Sequence, residues 1–572
     1  MKKIIFLFTL LAVPLLLRSQ STAQTPAGEK VQLIQAGSLE GIVKNGEELR
    51  KLIGDVVFRH EGTMLYCDSA YQYDKKNEIE CFGNVRMVQG DTVTMTGKKL
   101  RYNGNTKRAI VTKDVILKDK KMTLYTDYLE YDMKTQLATY LEGGKIIDEE
   151  NVLTSQRGYY NTSSKIFWFK KDVKLVNDKE KYTLTSDTLQ YHTITKIATF
   201  RGPSKVTKEN DVLYADHGEY ETQTGHSRAI GRARVESDSY VLEGDKIHYN
   251  EFGKYGVAEG NVKMTSHENN LEVFGDLAHY WGKEGIVKVT GKPLVKNKME
   301  EDTLFLTADT LISVDRKNPK DTTIKEKYLR AFHHVKIYKT DIQAKCDSLV
   351  YNIIDSTIYL YNDPLMWNGG NQVEADSINI LMKNKRIHRM DTNVNSFIIS
   401  QDTIKNFNQV KGKKMVAYFK DDKISRVNVT GNGQSIYYAM EEGVNKVIGL
   451  NKAECSNIVI KFDSGAVRNI TFVNKPDAKF IPPHEIVEAE TRLKGFQWRI
   501  KEKPSREEVA LARDLEKYLY RLDYGAYQKS LKEPVEFVQI PYARGYHPAA
   551  TIKEEPKDHE ERKKKQRKRK EK

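Results

Sequence analysis

The chain has 572 residues, 30 % of them charged and 39 % hydrophobic, with a formal charge of +15 at neutral pH. A mean hydropathy of −0.62 excludes a bundle of membrane-spanning helices, while the length allows several ordinary domains or one long repeat array. With 32 tyrosines against 14 prolines, and Val/Ile/Thr-rich segments separated by Gly, Asn and Asp, the composition is that of strands and turns.

In chain order the first element is an export signal. Lys2 and Lys3 precede an apolar run from Ile4 to Leu17, and Ser21-Thr22-Ala23 has the small residues of a cleavage site. The run falls short of the ~20 residues a membrane helix needs. Residues 1–23 are therefore read as a signal peptide, with a retained N-terminal anchor as the alternative, and the mature chain as exported. The cysteines, Cys67, Cys81, Cys346 and Cys455, form no CxxC pair, so zinc and thioredoxin-like sites have no support. Cys67 and Cys81 are close in sequence; a disulfide and buried thiols are both open readings.

From Gly54 onward the sequence repeats. GDVVF at Gly54, GNVRM at Gly83, KDVIL at Lys113, GGKII at Gly143 and KDVKL at Lys171 open a series of eleven units. It runs through GNVKM at Gly260 to HHVKI at His333 and NDPLM at Asn362. The spacing is 28–31 residues, except for one interval of 42 that holds a polar insertion at Arg316–Asp321. Phe58, Met87, Leu117, Ile147, Leu175, Val206, Val235, Met264, Val295, Ile337 and Met366 occupy one equivalent position, and all are apolar. Two residues earlier come Val56, Val85, Val115, Val173, Val262 and Val335. Between them stand cations such as Arg86, Lys174, Lys205, Arg234 and Lys263, which alternation sends to the opposite face.

A second segment recurs in phase, as in LTSDTLQYH at Leu184 and LEGDKIHYN at Leu242. Leu100, Leu129, Leu189 and Ile247 are equivalent in it, and tyrosines follow two residues on, from Tyr102 to Tyr351; Tyr73 comes one residue late, as a β-bulge would allow. An aspartate precedes them, at Asp68, Asp127, Asp187, Asp216 and Asp245 among others. Turn or strand-start chemistry explains it better than metal ligation, and the tyrosines read as cross-strand stacking partners. Each repeat is expected to supply two or three short strands, one rung of a stack, with the Gly-Asn pairs as turns and His333-His334 as a variant of them.

The pattern fades beyond about residue 395, although strand-like segments such as Ile458–Phe462 persist to Pro482-Pro483. Ser505 and Glu508 then form a capping box for a helix over 506–522, with Leu511, Leu515, Tyr518 and Leu522 on one face. Last comes Arg562–Lys570, RKKKQRKRK, which supplies +8 of the net charge. It is read as a solvated tail, with an anionic membrane surface as the functional alternative; nucleic acid is not an expected partner of an exported chain.

The GNV turn followed by L-x-(A/S)-D-x-L-x-Y-(N/D), clearest at Gly83-Asn84-Val85, Gly260-Asn261-Val262, Leu184–Tyr191 and Leu242–Asn250, resembles the OstA-like, or LptA-like, family of lipopolysaccharide-transport proteins. The resemblance implies an all-β fold, an elongated stacked β-jellyroll, over about residues 30–480. A C-terminal region would follow over 481–550 and a basic tail over 551–572. It implies a non-enzymatic protein of the periplasm, associated with the outer membrane, that binds lipopolysaccharide or a related glycolipid in an apolar groove. Val85, Met87, Leu117, Leu129, Leu175, Leu189, Val235, Val262 and Met264 are the groove candidates. Open strand edges make other transport-pathway proteins and head-to-tail copies the expected partners. No cofactor, metal or catalytic residue is expected, since the acids recur with the repeat and no unique pair stands out. The rival reading is a structural or adhesive β-solenoid with a packed core. Two departures from the family pattern are an unusually long array and the lack of a strand-rich barrel after it.

Overall fold

The computed structural model describes residues 29–513 apart from 91–92, 121, 150, 239, 268–269, 300–301, 320, 385, 422, 442–443, 445, 464–465 and 512. The expected signal peptide and basic tail, and Leu515, Tyr518 and Leu522, lie outside the described residues. Between Gln32 and Ile481 the described residues form 36 strands joined in one antiparallel sheet. The stacked strands expected from the repeat are observed, in the β-jellyroll architecture that the resemblance implies.

The rung itself differs from expectation. Each repeat supplies two long strands, such as Glu78–Gln89 with Val93–Asn103, then Arg108–Asp119 with Met122–Asp132. The Gly-Asn pair is not a turn. Gly83 and Asn84 lie mid-strand, at φ +69° and +36°. Around them Tyr66 pairs with Arg86 and Ser69 with Phe82, while on the other side Phe82 pairs with Lys99 and Val85 with Gly97. The strand thus carries one residue more than either neighbour, a β-bulge. The same left-handed pair occurs at Lys113-Asp114, Lys171-Asp172, Gly231-Arg232, Gly260-Asn261, His333-His334 and Asn362-Asp363. It continues at Val394-Asn395 and Gly431-Asn432, where the sequence pattern has faded.

The bulge accounts for the recurring aspartates; Asp68, Asp127, Asp187, Asp216 and Asp245 stand mid-strand and not at turns, whereas Asp309 and Asp376 immediately precede a strand, as expected. Asn84 Nδ2 donates to Asp68 at 3.0 Å and Asn261 Nδ2 to Asp245 at 2.9 Å. Arg232 donates to both oxygens of Asp216, at 2.7 and 3.1 Å. A Cβ on Gly83 would lie 2.2 Å from Asp68 Oδ2, so space as well as φ demands glycine there.

The line of bulges folds the sheet into two arms. In Val93–Asn103, Val93 and Met95 are buried, Lys98 and Lys99 are exposed in succession, and Leu100 and Tyr102 are buried again. Alternation slips by one at the corner, so both arms present apolar residues to a single shared core. On one arm, the leucine arm, Phe58, Leu65, Met87, Met95, Leu117 and Leu124 pair in succession across the strands. Ile146, Leu153, Leu175 and Leu184 continue the ladder. Ile146, not the expected Ile147, takes the position. On the other, the tyrosine arm, Tyr102, Ala109, Tyr131, Ala138, Tyr160, Phe167, Tyr191 and Ala198 form the ladder. Gln72 and not Tyr73 holds the first unit's place in it, with no extra bulge. Cys67 and Cys81 are buried thiols on adjacent strands.

The outer face is not polar throughout. From Phe274 onward the leucine arm also buries residues on its outside, among them Leu294, Phe305, Trp367 and Ile399. A strap running from Pro482 to Arg513 covers them. Leu493 packs with Ile399, Ile436 and Leu450, and Val509 and Ala510 pack with Phe274, Leu294 and Phe305. Gln409 donates to Thr491 O (2.8 Å) and accepts from Leu493 N (2.9 Å); Gln372 does the same with Gln497 O and Arg499 N, both at 2.8 Å. Arg499 grips Asp363 through two bonds of 2.7 and 2.8 Å. The predicted capping box, Ser505 with Glu508, is present, but the described helix is only Arg506–Ala510. Leu511, expected on its packed face, is 69 % exposed.

Candidate functional site

The space between the arms is the candidate site. All nine predicted groove residues face it. Val85, Met87, Leu117, Leu129, Leu175, Leu189 and Val262 are at most 2 % exposed, whereas Val235 and Met264 are only partly buried. That contrast divides the interior into a packed section and a looser one.

In the packed section the leucine ladder from Phe58 to Leu184 is no more than 1 % exposed. Its mouth is closed by a row of latches that the sequence reading missed. His60, Gln89, Asp119 and Asp148 each lie two residues beyond a ladder residue, hence on the inner face at the arm's rim. Each meets a tyrosine of the opposite arm. His60 Nδ1 is 2.7 Å from the Tyr102 hydroxyl, and Tyr131 donates to Gln89 at 2.7 Å. Tyr160 donates to Asp119 at 2.7 Å and Tyr191 to Asp148 at 2.8 Å. Lys165 and Lys196 complete the last two, at 2.5 Å from Asp119 and 2.8 Å from Asp148. Burial, reinforced by the carboxylate beside each, pushes the Tyr160 and Tyr191 hydroxyls far above the ordinary phenol value. Both stay neutral and donate. The tyrosines are thus interior latches, although Tyr160 also stacks on its cross-strand partner Phe167 with centroids 4.0 Å apart. The 29–30-residue recurrence of the rim positions was the available signal.

The row then stops. Asn177, next on the rim, donates to Asn151 and bonds Tyr182 of its own arm instead of a tyrosine of the opposite one. Tyr220 reaches Glu251 only at 3.5 Å, and Tyr249 is 36 % exposed. A polar cleft of about 290 Å³ opens there, lined by Asn151, Asn177, Lys196, Tyr220 and Glu251 among others. Beyond it the ladder continues unbroken through Val206, Leu213, Val235, Leu242, Met264 and Val273, but all six are incompletely buried. Around them several buried positions carry small residues, Ala215, Ala229, Ala233, Gly244, Gly256 and Ala258. Full burial returns with Val295 and Leu306 at 3 and 5 %. The result is an apolar stretch six strands wide, roughly 25 Å at ~4.8 Å per strand.

Comparison with known proteins bears on this architecture. Residues 28–187 and 178–245 match the family model described as OstA-like protein. The matched segment, residues 28–245, is OstA-like in sequence. A solved structure resembling the chain is LptH from Pseudomonas aeruginosa, described as the LptA-homologous periplasmic component of the lipopolysaccharide transport device. It is 15 % identical, over 24 % of this chain and 79 % of LptH, with a TM-score of 0.13. No curated protein matches. The residues matched by the family model include all of the latches and four of the six ladder residues of the loosely filled stretch, Val206, Leu213, Val235 and Leu242. Among the described residues no helix is long and apolar enough to cross a membrane, and no group of three metal-ligating side chains occurs.

Proposed function

We propose that the chain is a non-enzymatic periplasmic carrier of lipopolysaccharide or a related glycolipid, holding acyl chains between its arms in the service of outer-membrane assembly. The observation that carries this is the run Val206–Val273. Six apolar residues in register, incompletely covered, lie between flanks that are fully packed. Each CH₂ withdrawn from water onto such a surface contributes about 0.8 kcal/mol, and equivalent apolar sites on successive strands let a chain shift along without losing that contribution. Val235 and Met264 would touch the cargo directly; the other seven candidates would do so only if the packed arms part. The exposed Leu39 and Val43 of the edge strand Ser38–Lys44 suit pairing with another pathway protein or a second copy.

The packed section favours a second reading, a solenoid without cargo. Photo-crosslinking residues placed at Val235, Met264, Met87 and Leu189 in cells separate the two. A carrier yields glycolipid adducts at Val235 and Met264. Silence at those two positions sinks the proposal. Adducts at Met87 and Leu189 as well would extend the path through the latched section.

A further inference from the structure

The last strands of the sheet carry a cation cluster that the interior does not use. On the outer face of the tyrosine arm, Tyr418, Arg426, Lys461 and Asn469 stand opposite one another on four successive strands. Tyr418 pairs with Arg426 but Phe419 with Ile424, which leaves Ser425 as an extra residue; Lys461 pairs with Asn469 but Phe462 with Val467, which leaves Arg468. Bulges re-aim side chains, and Ser425 and Arg468 line the same open cleft of about 640 Å³ as the four paired residues.

Arg426 directly opposite Lys461 is a conflict, because like charges facing each other across antiparallel strands are destabilising. The sheet resolves the same conflict elsewhere with its own acids. Lys336 faces Lys345, and the strap places Glu508 3.6 Å from Lys336 and Glu502 on Lys345. At the cleft no carboxylate lines the walls, and among the described residues none pairs with Arg426, Lys461 or Arg468. Arg426 is stacked on Tyr418, its guanidinium carbon 4.4 Å from the ring centroid, which holds the fork while leaving its in-plane N–H groups free to donate. Three cations beside a phenol and an amide exceed what one carboxylate can use and match the charge and the several acceptor oxygens of a phosphate.

We propose that this cleft binds a phosphate monoester group, whether carried by a lipid headgroup or free in solution. The proposal stands independently of any cargo between the arms. Calorimetric titration of the full chain with inorganic phosphate, and sedimentation with phosphatidylcholine vesicles with or without phosphatidic acid, test it. Wild type is compared with the triple variant Arg426→Gln, Lys461→Gln, Arg468→Gln. A control, Lys118→Gln, Lys174→Gln, Lys205→Gln, removes equal charge from other exposed positions. Loss of about a hundredfold in vesicle affinity, roughly fivefold per cation, in the cleft variant alone supports a headgroup site. Loss of inorganic phosphate binding with unchanged vesicle binding supports a free-phosphate site. Equal losses in cleft variant and control, or no loss in either assay, overturn the proposal. Melting gives an independent check. In phosphate-free buffer Arg426→Gln is expected to melt no lower than wild type, and added phosphate is expected to raise the melting temperature of wild type only. A lower melting temperature for the variant in phosphate-free buffer would also count against the site.

Discussion

At Gly83 a single missing Cβ decides whether the strand can bend. The residue is left-handed and pressed against Asp68, so Gly83→Ala is expected to cost about 2 kcal/mol in urea unfolding, from strain and displacement of Asp68 together. At the equivalent bulge Lys113 already tolerates φ +67°, and Lys113→Gly is expected to be neutral or stabilising in the same assay. The latches make a second residue-scale case. Asp148 is 1 % exposed and binds both Lys196 and the Tyr191 hydroxyl. Asp148→Asn leaves the buried Lys196 ammonium with only the more exposed Glu149, 3.4 Å away, as counter-charge and is expected to cost about 2 kcal/mol, against about 1 kcal/mol for Tyr191→Phe. Comparable losses from the two would show that the ion pair adds little to the latch. The bulge glycines and ladder residues were legible because each repeats at a fixed offset. The latch residues His60, Gln89, Asp119 and Asp148 repeat too, but their types differ, and what unites them is only the tyrosine each one meets.

The strap is the element whose role local sequence least reveals. Gln372 and Gln409, each fully buried, serve its backbone as a neighbouring strand would. Gln409→Leu strips a donor and an acceptor from buried strap backbone and is expected to cost about 2–4 kcal/mol, with faster proteolysis between residues 482 and 513. Glu374 lies beneath the strap, where burial, opposed by Arg499, pushes its carboxyl up to about 7. The folded chain therefore holds a proton that the unfolded chain releases, and stability falls as pH rises from the ordinary value of 4.5 towards 7. Glu374→Gln is expected to remove that slope, worth roughly 1 kcal/mol once solvent screening is allowed for. Parallel stability–pH curves for the two proteins would refute the assignment. A hint of the covered outer face was present in Leu294-Val295, Phe305-Leu306 and Leu365-Met366-Trp367, where the strands are apolar at consecutive positions, as strands buried on both faces are. The element that covers them lies far along the chain.

For the molecule as a whole, packing density varies along one continuous ladder. Leu175 is fully buried in the latched section, so Leu175→Asp is expected to prevent folding. Val235→Asp and Met264→Asp keep access to water and are expected to fold with at most about 2 kcal/mol lost, while losing any bound lipid measured by extraction and mass spectrometry. If all three unfold alike, the interior is uniformly packed.

Sequence alone determined the strands, their two-residue alternation, the repeat and the inner face, because each depends on residues a fixed short distance apart. It misread the bulge as a turn because a Gly-Asn pair supports positive φ in either setting; only the paired strands on both sides distinguish them. Tertiary structure decided where the arms are latched, where they stand open, which part of the outside is covered and which cations are left unpaired. Those outcomes depend on volumes and charges summed over strands and a strap that come together only when the sheet folds, and no local period encodes such a sum.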